Sequence, residues 1–319
     1  MSIDTASSTA FLARHAPAPR FDVAPAVLAA RQSLAAAARD LAAVSDGSLE
    51  RTWRWRDTDA DVRYGLFRPI EAVEAATAEV TRVLAATGAT AARGPAALRI
   101  APVTTARWSL HGRLVALDDA WLDRVPTPGE WTLRETLGHI VGSQRGYTVY
   151  TTWHWRRNST DPIGDAERDG IDAEVQIPEE SDEASGSLAD IRARLDETTD
   201  LGATLAAWTD ADLARPARWS GVPVDVGFRL GRTSSHVMEH TIQVDKTLAW
   251  LGHTPTEAQR IVLDLCSAWG RLEGHVFPME PAALDVRGGD GRSVSAILDG
   301  LRAELDDVAA SVPAAAAVS

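Results

Sequence analysis

The length, composition and charge of the sequence already exclude several classes of protein. A chain of 319 residues, 45% hydrophobic and 24% charged, can bury a core of ordinary composition without disulfide bonds or a structural metal. The net charge of −13 argues against nucleic-acid binding, because nucleic-acid-binding proteins usually present a basic patch.

The sequence predicts a soluble protein of the reducing cytoplasm. Cys266 is the single cysteine, so an intrachain disulfide is excluded. Charged residues interrupt every apolar stretch, and residues 1–24 lack the apolar run of a secretory signal. We therefore expect no nucleic-acid or membrane partner, and the chain could be a monomer or a homodimer.

Apolar residues recur with helical spacing along most of the chain, and alternating strand patterns are scarce. Pro25 suits the first position of a helix, and Thr132 with Glu135 forms a capping-box pattern. Ser234 or Ser235 is the predicted N-cap of a later helix. The predicted helices cover residues 25–44, 69–86, 107–125, 132–157, 188–208, 234–252, 256–276 and 293–312.

Two segments between these helices lack helical periodicity. Residues 164–186 are acidic and are predicted to form a long, solvated connection. Residues 218–230 contain Gly221, Pro223 and Gly227, which predict an ordered loop or a short hairpin.

These elements predict an all-α fold, in which helices joined by mostly short links form a bundle. We expect residues 1–100 to form an N-terminal helical extension packed on the bundle, and residues 101–319 to form the bundle itself. A five-residue similarity between residues 52–56 and 152–156 leaves open a duplication of helical hairpins.

Two histidines at helical spacing are the first candidates for chemistry. His236 and His240 lie four residues apart, so both imidazoles can reach one ion from the same helix face. Gln243 continues the same polar stripe. The alternative is a pair of partly exposed histidines at a helix edge, and a firm metal site needs a third ligand.

His139 is the candidate for that third ligand. It lies off the apolar stripe of its helix, on a face that also carries Gly142, Ser143 and Gly146. Small side chains at these positions leave room for a ligand pocket. They are equally typical of a close crossing between two helices, and both interpretations remain open at this point.

No other constellation in the sequence competes with these histidines. There is no phosphate-binding loop, no His-Glu-x-x-His motif and no Cys-x-x-Cys pair. Trp153 and His154 could belong to a substrate pocket, with helix packing as the alternative. Cys266 is expected to be a buried core thiol.

Two segments of the chain resemble the DinB-like superfamily. Residues 129–139 (GEWTLRETLGH) resemble its second-helix signature, and residues 236–248 (HVMEHTIQVDKTL) resemble its later metal-binding helix. The resemblance spans about residues 107–276. It implies an up-down bundle with a four-helix core and additional N-terminal and C-terminal helices, holding a metal through His139, His236 and His240.

The resemblance also implies a class of reaction. The superfamily includes metal-dependent transferases and isomerases that use mycothiol or bacillithiol. An Ala- and Arg-rich composition is typical of high-GC actinobacteria, in which mycothiol is the expected thiol. We therefore expect a metal-dependent thiol transferase acting on an electrophilic small molecule. The alternatives are a metal-dependent hydrolase or isomerase, or a bundle that binds a metal without catalysis.

Roles follow for the residues near the expected ligands. Glu135 and Gln243 are the expected catalytic residues, as proton acceptor and orienting group. Ser143, Trp153 and His154 are expected to bind the cofactor or substrate. Three histidines suit zinc or nickel, with iron or cobalt as alternatives.

Overall fold

The computed structural model describes residues 5–16, 22–89, 93–175 and 177–317. These residues are helical almost throughout, with two short antiparallel hairpins, so the predicted all-α fold is confirmed. None of the helices in the described residues has the length and apolar character that crossing a membrane requires.

Fourteen α-helices and four strands are present in the described residues. The helices are α1 (Thr5–His15), α2 (Pro25–Ala42), α3 (Val62–Ala86), α4 (Pro95–Ile100), α5 (Pro102–Leu114), α6 (Leu133–Arg157), α7 (Asp165–Val175), α8 (Glu180–Glu183), α9 (Leu188–Leu201), α10 (Asp210–Leu213), α11 (Val226–Trp250), α12 (Glu257–Val276), α13 (Pro281–Asp285) and α14 (Val294–Ala317). The strands are β1 (Thr52–Trp55), β2 (Thr58–Asp61), β3 (Pro216–Trp219) and β4 (Val222–Asp225), which pair as β1–β2 and β3–β4.

The chain divides into two compact units, each assembled from separate segments. Unit 1 comprises the described residues of Met1–Asp22, Arg93–Val103 and Asp118–Leu251, and unit 2 those of Val23–Ala92, Thr104–Leu117 and Gly252–Ser319. This division differs from the predicted boundary at residue 100. The reason is that α12 and α14 share one apolar core with α2 and α3.

Unit 2 encloses a fully buried carboxylate in its core. Glu273 accepts hydrogen bonds from the indole Nε1 atoms of Trp108 at 2.6 Å and Trp269 at 3.0 Å, and it forms ion pairs with Arg31 and Arg107. Burial tends to raise the pKa of this carboxyl, but the guanidinium groups of Arg107 and Arg31 hold the pKa below its usual value. The buried charge is thus paired and has a structural role.

Helix α6 is the centre of unit 1, where it packs against α8, α9 and α11. It begins where the predicted capping box forms. The Thr132 hydroxyl accepts the Glu135 amide, and the Glu135 carboxylate accepts the Thr132 amide at 2.7 Å. The cap satisfies two backbone donors at the helix start, so the predicted beginning of this helix is confirmed.

Helix α11 begins earlier than predicted. The predicted short hairpin is present as β3–β4, and Asp225 at its end accepts the Phe228 amide at 2.6 Å. This N-cap starts the helix at Val226, so the prediction of a start at Ser234 or Ser235 is wrong. Both serines lie inside the helix, where their hydroxyls bond to backbone carbonyls of the preceding turn.

The acidic segment predicted as a solvated connection contains two helices, α7 and α8. Glu183 in α8 is fully buried and pairs with Arg145 of α6, also fully buried, with 2.5 Å between Oε1 and Nε. The prediction of a solvated connection is therefore wrong. A buried guanidinium needs a carboxylate partner, and this acidic segment supplies it.

Each unit contains the same local structure, a hairpin followed by a helix of 25 residues. The two copies have the same strand register and are shifted by 164 in residue number, as Val62 and Val226 at the two helix starts show. Matching features are a positive φ at Arg56 and Ser220, an aspartate N-cap at Asp61 and Asp225, and a positive φ at Gly88 and Gly252.

The repeat found in the structure is not the one suggested by the sequence. Residues 52–56 begin in strand β1, whereas residues 152–156 lie within helix α6. Their similarity is therefore a coincidence of composition. The structural repeat joins residues 52–88 with residues 216–252.

Candidate metal site

The structure brings together the three histidines singled out in the sequence. His139 comes from α6, and His236 and His240 come from successive turns of α11. Their ring centroids lie 5.0 Å (His139–His236), 4.5 Å (His139–His240) and 4.4 Å (His236–His240) apart. One nitrogen from each ring lies within 4.8 Å of the others, a separation from which all three can converge on one ion.

Hydrogen bonds orient two of these imidazoles. His139 Nδ1 lies 2.8 Å from Glu180 Oε1, and His240 Nδ1 lies 2.8 Å from Gln243 Oε1. Both partners are acceptors, so each Nδ1 carries the proton and each Nε2 keeps its lone pair. This is the arrangement by which outer residues prepare histidines for metal binding.

His236 is the most buried of the three, with 6% of its surface exposed. Its Nδ1 is buried and has no hydrogen-bond partner among the described residues. Burial, followed by the charges of His240, His139 and Arg232, lowers the pKa of His236 to about 3. The ring is thus neutral at neutral pH, as a metal ligand must be, and its unpartnered nitrogen fits a metal site.

A cavity of about 290 Å³ adjoins the histidine cluster. It is lined by Gly142, Ser143, Gly146, Tyr147, Tyr150, Ile177, Pro178, Glu180, Trp219 and Arg229. Two of these residues also contact the cluster, since Glu180 bonds to His139 and the Tyr147 ring lies 5.5 Å from the His236 ring. The cluster therefore has a small-molecule pocket beside it.

The small residues on α6 provide both a pocket and a close helix crossing, the two interpretations left open by the sequence. Gly142 and Gly146 line the cavity, as does Ser143. Gly138, in contrast, marks a close crossing, because a Cβ there would lie 2.5 Å from the backbone oxygen of Glu180. The glycines thus bring α8 against α6 and leave room for a ligand one turn later.

The other predicted residues have different positions. Gln243 contacts His240 and is a positioning residue. Glu135 is engaged in the capping box, and no contact with the histidines occurs among the described residues. Trp153 and His154 are not among the residues that line the cavity, although Tyr150, about one turn earlier on α6, is.

Four residues of the site were missed in the sequence. Glu180 and Tyr147 contact the histidines, while Trp219 and Arg229 line the cavity. Arg229 precedes His236 by seven residues, about two helical turns, so both residues lie on the same side of α11. A helix predicted to start before Arg229 would have shown this spacing in the sequence.

The donor set fits a divalent metal. Three imidazoles, two with an acceptor on Nδ1 and one with a buried, unpartnered nitrogen, are ligands of the kind that zinc, nickel, cobalt and iron accept. Trp131 packs on the cluster, with its ring 5.2 Å from His139 and stacked 6.5 Å from His240. The set therefore supports a metal-binding role without selecting one metal.

Comparison with known proteins gives one finding that agrees with this geometry. The model of the DinB superfamily matches residues 103–244, a region that contains all three histidines. We found no significant match to the chain among curated proteins or solved structures. Over residues 103–244, the chain is therefore similar to the DinB superfamily.

Proposed function

We propose that the chain is a metal-dependent enzyme that activates a low-molecular-weight thiol, with mycothiol as the favoured thiol, for attack on an electrophilic small molecule. The observation that carries this proposal is the cluster of His139, His236 and His240 directly beside a cavity of about 290 Å³. The match of residues 103–244 to the DinB superfamily model supports the metal, and the cavity supports a small-molecule reaction.

The three histidines would hold the ion, and Gln243 and Glu180 would keep two of them in the binding tautomer. A divalent ion on neutral imidazoles supplies Lewis acidity, which lets a bound thiol lose its proton near neutral pH. The histidines are reachable from solvent, since the His139 side chain is 23% exposed.

We assign Glu180 as the proton acceptor, because its carboxylate contacts the cluster at His139 and also lines the cavity. Its oxygen lies 2.8 Å from His139 Nδ1, and its side chain is 55% exposed, so a proton can pass on to water. This assignment replaces Glu135, whose carboxylate caps α6.

The cavity beside the cluster would hold the electrophile. Ile177, Pro178 and Trp219 provide apolar walls, and Ser143 and Tyr147 provide hydroxyl groups. A substrate in the cavity would thus lie next to the metal ligands while its apolar part leaves water.

The test is thiol consumption by the metal-loaded, full-length protein under anaerobic conditions. Mycothiol, bacillithiol and cysteine are each offered with monochlorobimane or 1-chloro-2,4-dinitrobenzene, and the remaining thiol is titrated. We expect the wild type to accelerate loss of mycothiol and His236→Ala to be inactive. His15→Ala is the matched control, because His15 pairs with Glu174 and lies outside the cluster.

Two results would contradict the proposal. One is the absence of accelerated thiol loss with every thiol and electrophile while metal is bound. The other is metal-dependent cleavage of an ester such as p-nitrophenyl acetate without any thiol, which would favour a hydrolase instead.

A further inference from the structure

A buried arginine without a carboxylate partner lines the cavity beside the histidine cluster. Arg229 is 7% exposed. Its Nε donates to Thr151 Oγ1 at 3.2 Å, and its Nη1 donates to the Arg218 carbonyl at 2.6 Å. Its Nη2 makes no hydrogen bond to the described residues, and no carboxylate among them pairs with this guanidinium.

The charge of Arg229 persists at neutral pH. Burial lowers the pKa of this guanidinium to about 10, partly offset by the nearby Tyr147 and Tyr150. Burial, followed by the charges of Arg229, Arg157 and Arg218, also lowers the pKa of the nearby His154 to about 3. A buried, unpaired charge is costly, so its retention calls for an anion that arrives with a ligand.

The internal repeat offers a comparison for the same helix position. In the equivalent helix of unit 2, Gly65 stands where Arg229 stands in α11. The residues that build the element are the same in both copies: Asp61 and Asp225, Val62 and Val226, Leu66 and Leu230, Val73 and Val237, Val80 and Val244, and Leu84 and Leu248. The helix and hairpin thus form without an arginine at this position, so Arg229 is not needed by the element itself.

We propose that Arg229 anchors the carboxylate of a small organic acid in this cavity, with the acid as the electrophilic substrate. The assignment of this acid as the substrate rests on the function proposed above. The binding of the acid to Arg229 does not, because it requires no metal.

A carboxylate fits this position better than other anions do. One planar guanidinium with a free Nη2 matches one planar carboxylate, while a phosphate dianion usually draws several cationic donors. Tyr147 adds a second donor, because its oxygen accepts the Trp219 indole at 3.2 Å and its own hydrogen has no acceptor among the described residues. Ile177 and Pro178 suit the hydrocarbon part of the acid.

The test compares benzoate with benzamide, which has the same shape without the charge. Binding of each to the full-length protein is measured by calorimetry, both after metal removal and after metal loading. We expect the wild type to prefer benzoate by about tenfold or more in both states, because the guanidinium selects the charge. Arg229→Gln should abolish the preference, and Arg168→Gln, an equal change in net charge on the exposed face of α7, should keep it.

A second variant tests the cavity independently of Arg229. Gly146 lines the cavity, and a Cβ there meets only the Tyr150 ring, at 3.6 Å, so the Cβ of Gly146→Leu causes no backbone clash and the rest of the side chain takes up space at the cavity wall. We expect it to weaken binding of both probes. Should Arg229→Gln fail to fold, unchanged benzoate binding by Gly146→Leu would overturn the proposal.

Other outcomes separate this inference from the proposed function. Equal affinity for benzoate and benzamide, a preference retained in Arg229→Gln, or tighter binding of inorganic phosphate than of benzoate would each overturn it. An Arg229-dependent preference in a protein that consumes no thiol would leave the anion site standing and remove the proposed function. Thiol consumption by a protein that shows no preference for benzoate would support the proposed function and remove the anion site.

Discussion

At the scale of single residues, the histidine cluster depends on the groups that hold its rings. Gln243 Oε1 lies 2.8 Å from His240 Nδ1 and fixes the tautomer in which Nε2 is free. We expect Gln243→Ala to lower metal affinity about 10- to 100-fold, the usual effect of removing such a partner.

Competition with a chromophoric chelator measures this affinity. Ile242→Ala is the matched control, because Ile242 is the neighbouring residue and its side chain is 70% exposed. Equal affinities of Gln243→Ala and the wild type would mean that the amide does not position His240.

His154 gives a prediction for the pH dependence of stability. Its pKa falls to about 3 in the folded protein, first through burial and then through the charge of Arg229, whereas the unfolded chain takes up the proton near pH 6.5. Protonation thus favours the unfolded state as the pH falls from about 6.5 towards 3. The stability associated with neutral His154 is present above this range and lost within it.

We expect His154→Gln to lose about 1–2 kcal/mol less unfolding free energy than the wild type between pH 7 and pH 5. Urea unfolding of the metal-free proteins at both pH values measures the difference. Parallel losses in the two proteins would show that His154 does not titrate in this way.

The sequence was sufficient for the three candidate ligands but not for their surroundings. His236 and His240 follow from helical spacing, and His139 joined them through a family resemblance. Arg229 was missed because the helix was predicted to start after it. Glu180 was missed because an acidic segment usually lies in solvent, and its contact with His139 is tertiary.

At the scale of elements, the contact between α8 and α6 places Glu180 beside His139. It depends on Gly138, because a Cβ there would lie 2.5 Å from the Glu180 carbonyl oxygen and 2.8 Å from the Ala184 Cβ. Such distances require the backbone of α8 to move away.

We expect Gly138→Ala to destabilise the protein by about 1–3 kcal/mol and to weaken metal binding, since Glu180 would leave His139. Thermal unfolding and the chelator competition measure the two effects. Gly231→Ala is the control, because a Cβ at Gly231 on α11 meets no other atom within 4 Å. We expect it to lower neither the stability nor the metal affinity. A Gly138→Ala protein with unchanged stability and metal affinity would contradict the assigned role of this crossing.

At the scale of elements, helix starts were predicted correctly where a strong local sequence signal marks them. The capping box at Thr132 and the proline at Pro25 gave correct helix starts, because both act through neighbouring residues. The start of α11 was wrong because an aspartate at the end of a hairpin caps it, and the serines nearby looked like better caps. The helices of the acidic segment depend on the buried pair of Glu183 with Arg145, which no local pattern shows.

At the scale of the whole molecule, the repeated hairpin and helix make the two units a natural comparison. In α3 of unit 2, Ala72 and Ala76 stand at the positions of His236 and His240. Both alanines are buried, at 6% and 8% exposure. The repeat in unit 2 thus keeps the framework of the element without the ligands, and we expect one metal site per chain, in unit 1.

The division into units also shows why the predicted domain boundary differs from the structure. Each unit uses segments from distant parts of the sequence, so a boundary drawn at one position separates α2 and α3 from α12 and α14. The helices themselves follow from periodicity. Their grouping depends on which apolar faces meet, and that is decided by packing over long sequence distances.

The metal content of the purified full-length protein tests the central claim most directly. Elemental analysis by mass spectrometry, after loading with zinc or nickel and removal of excess metal, is compared between the wild type, His236→Ala and His15→Ala. We predict one tightly bound ion per chain in the wild type and in His15→Ala, and none in His236→Ala. A wild type that retains no metal, or a His236→Ala protein that retains as much as the wild type, would contradict the site formed by His139, His236 and His240.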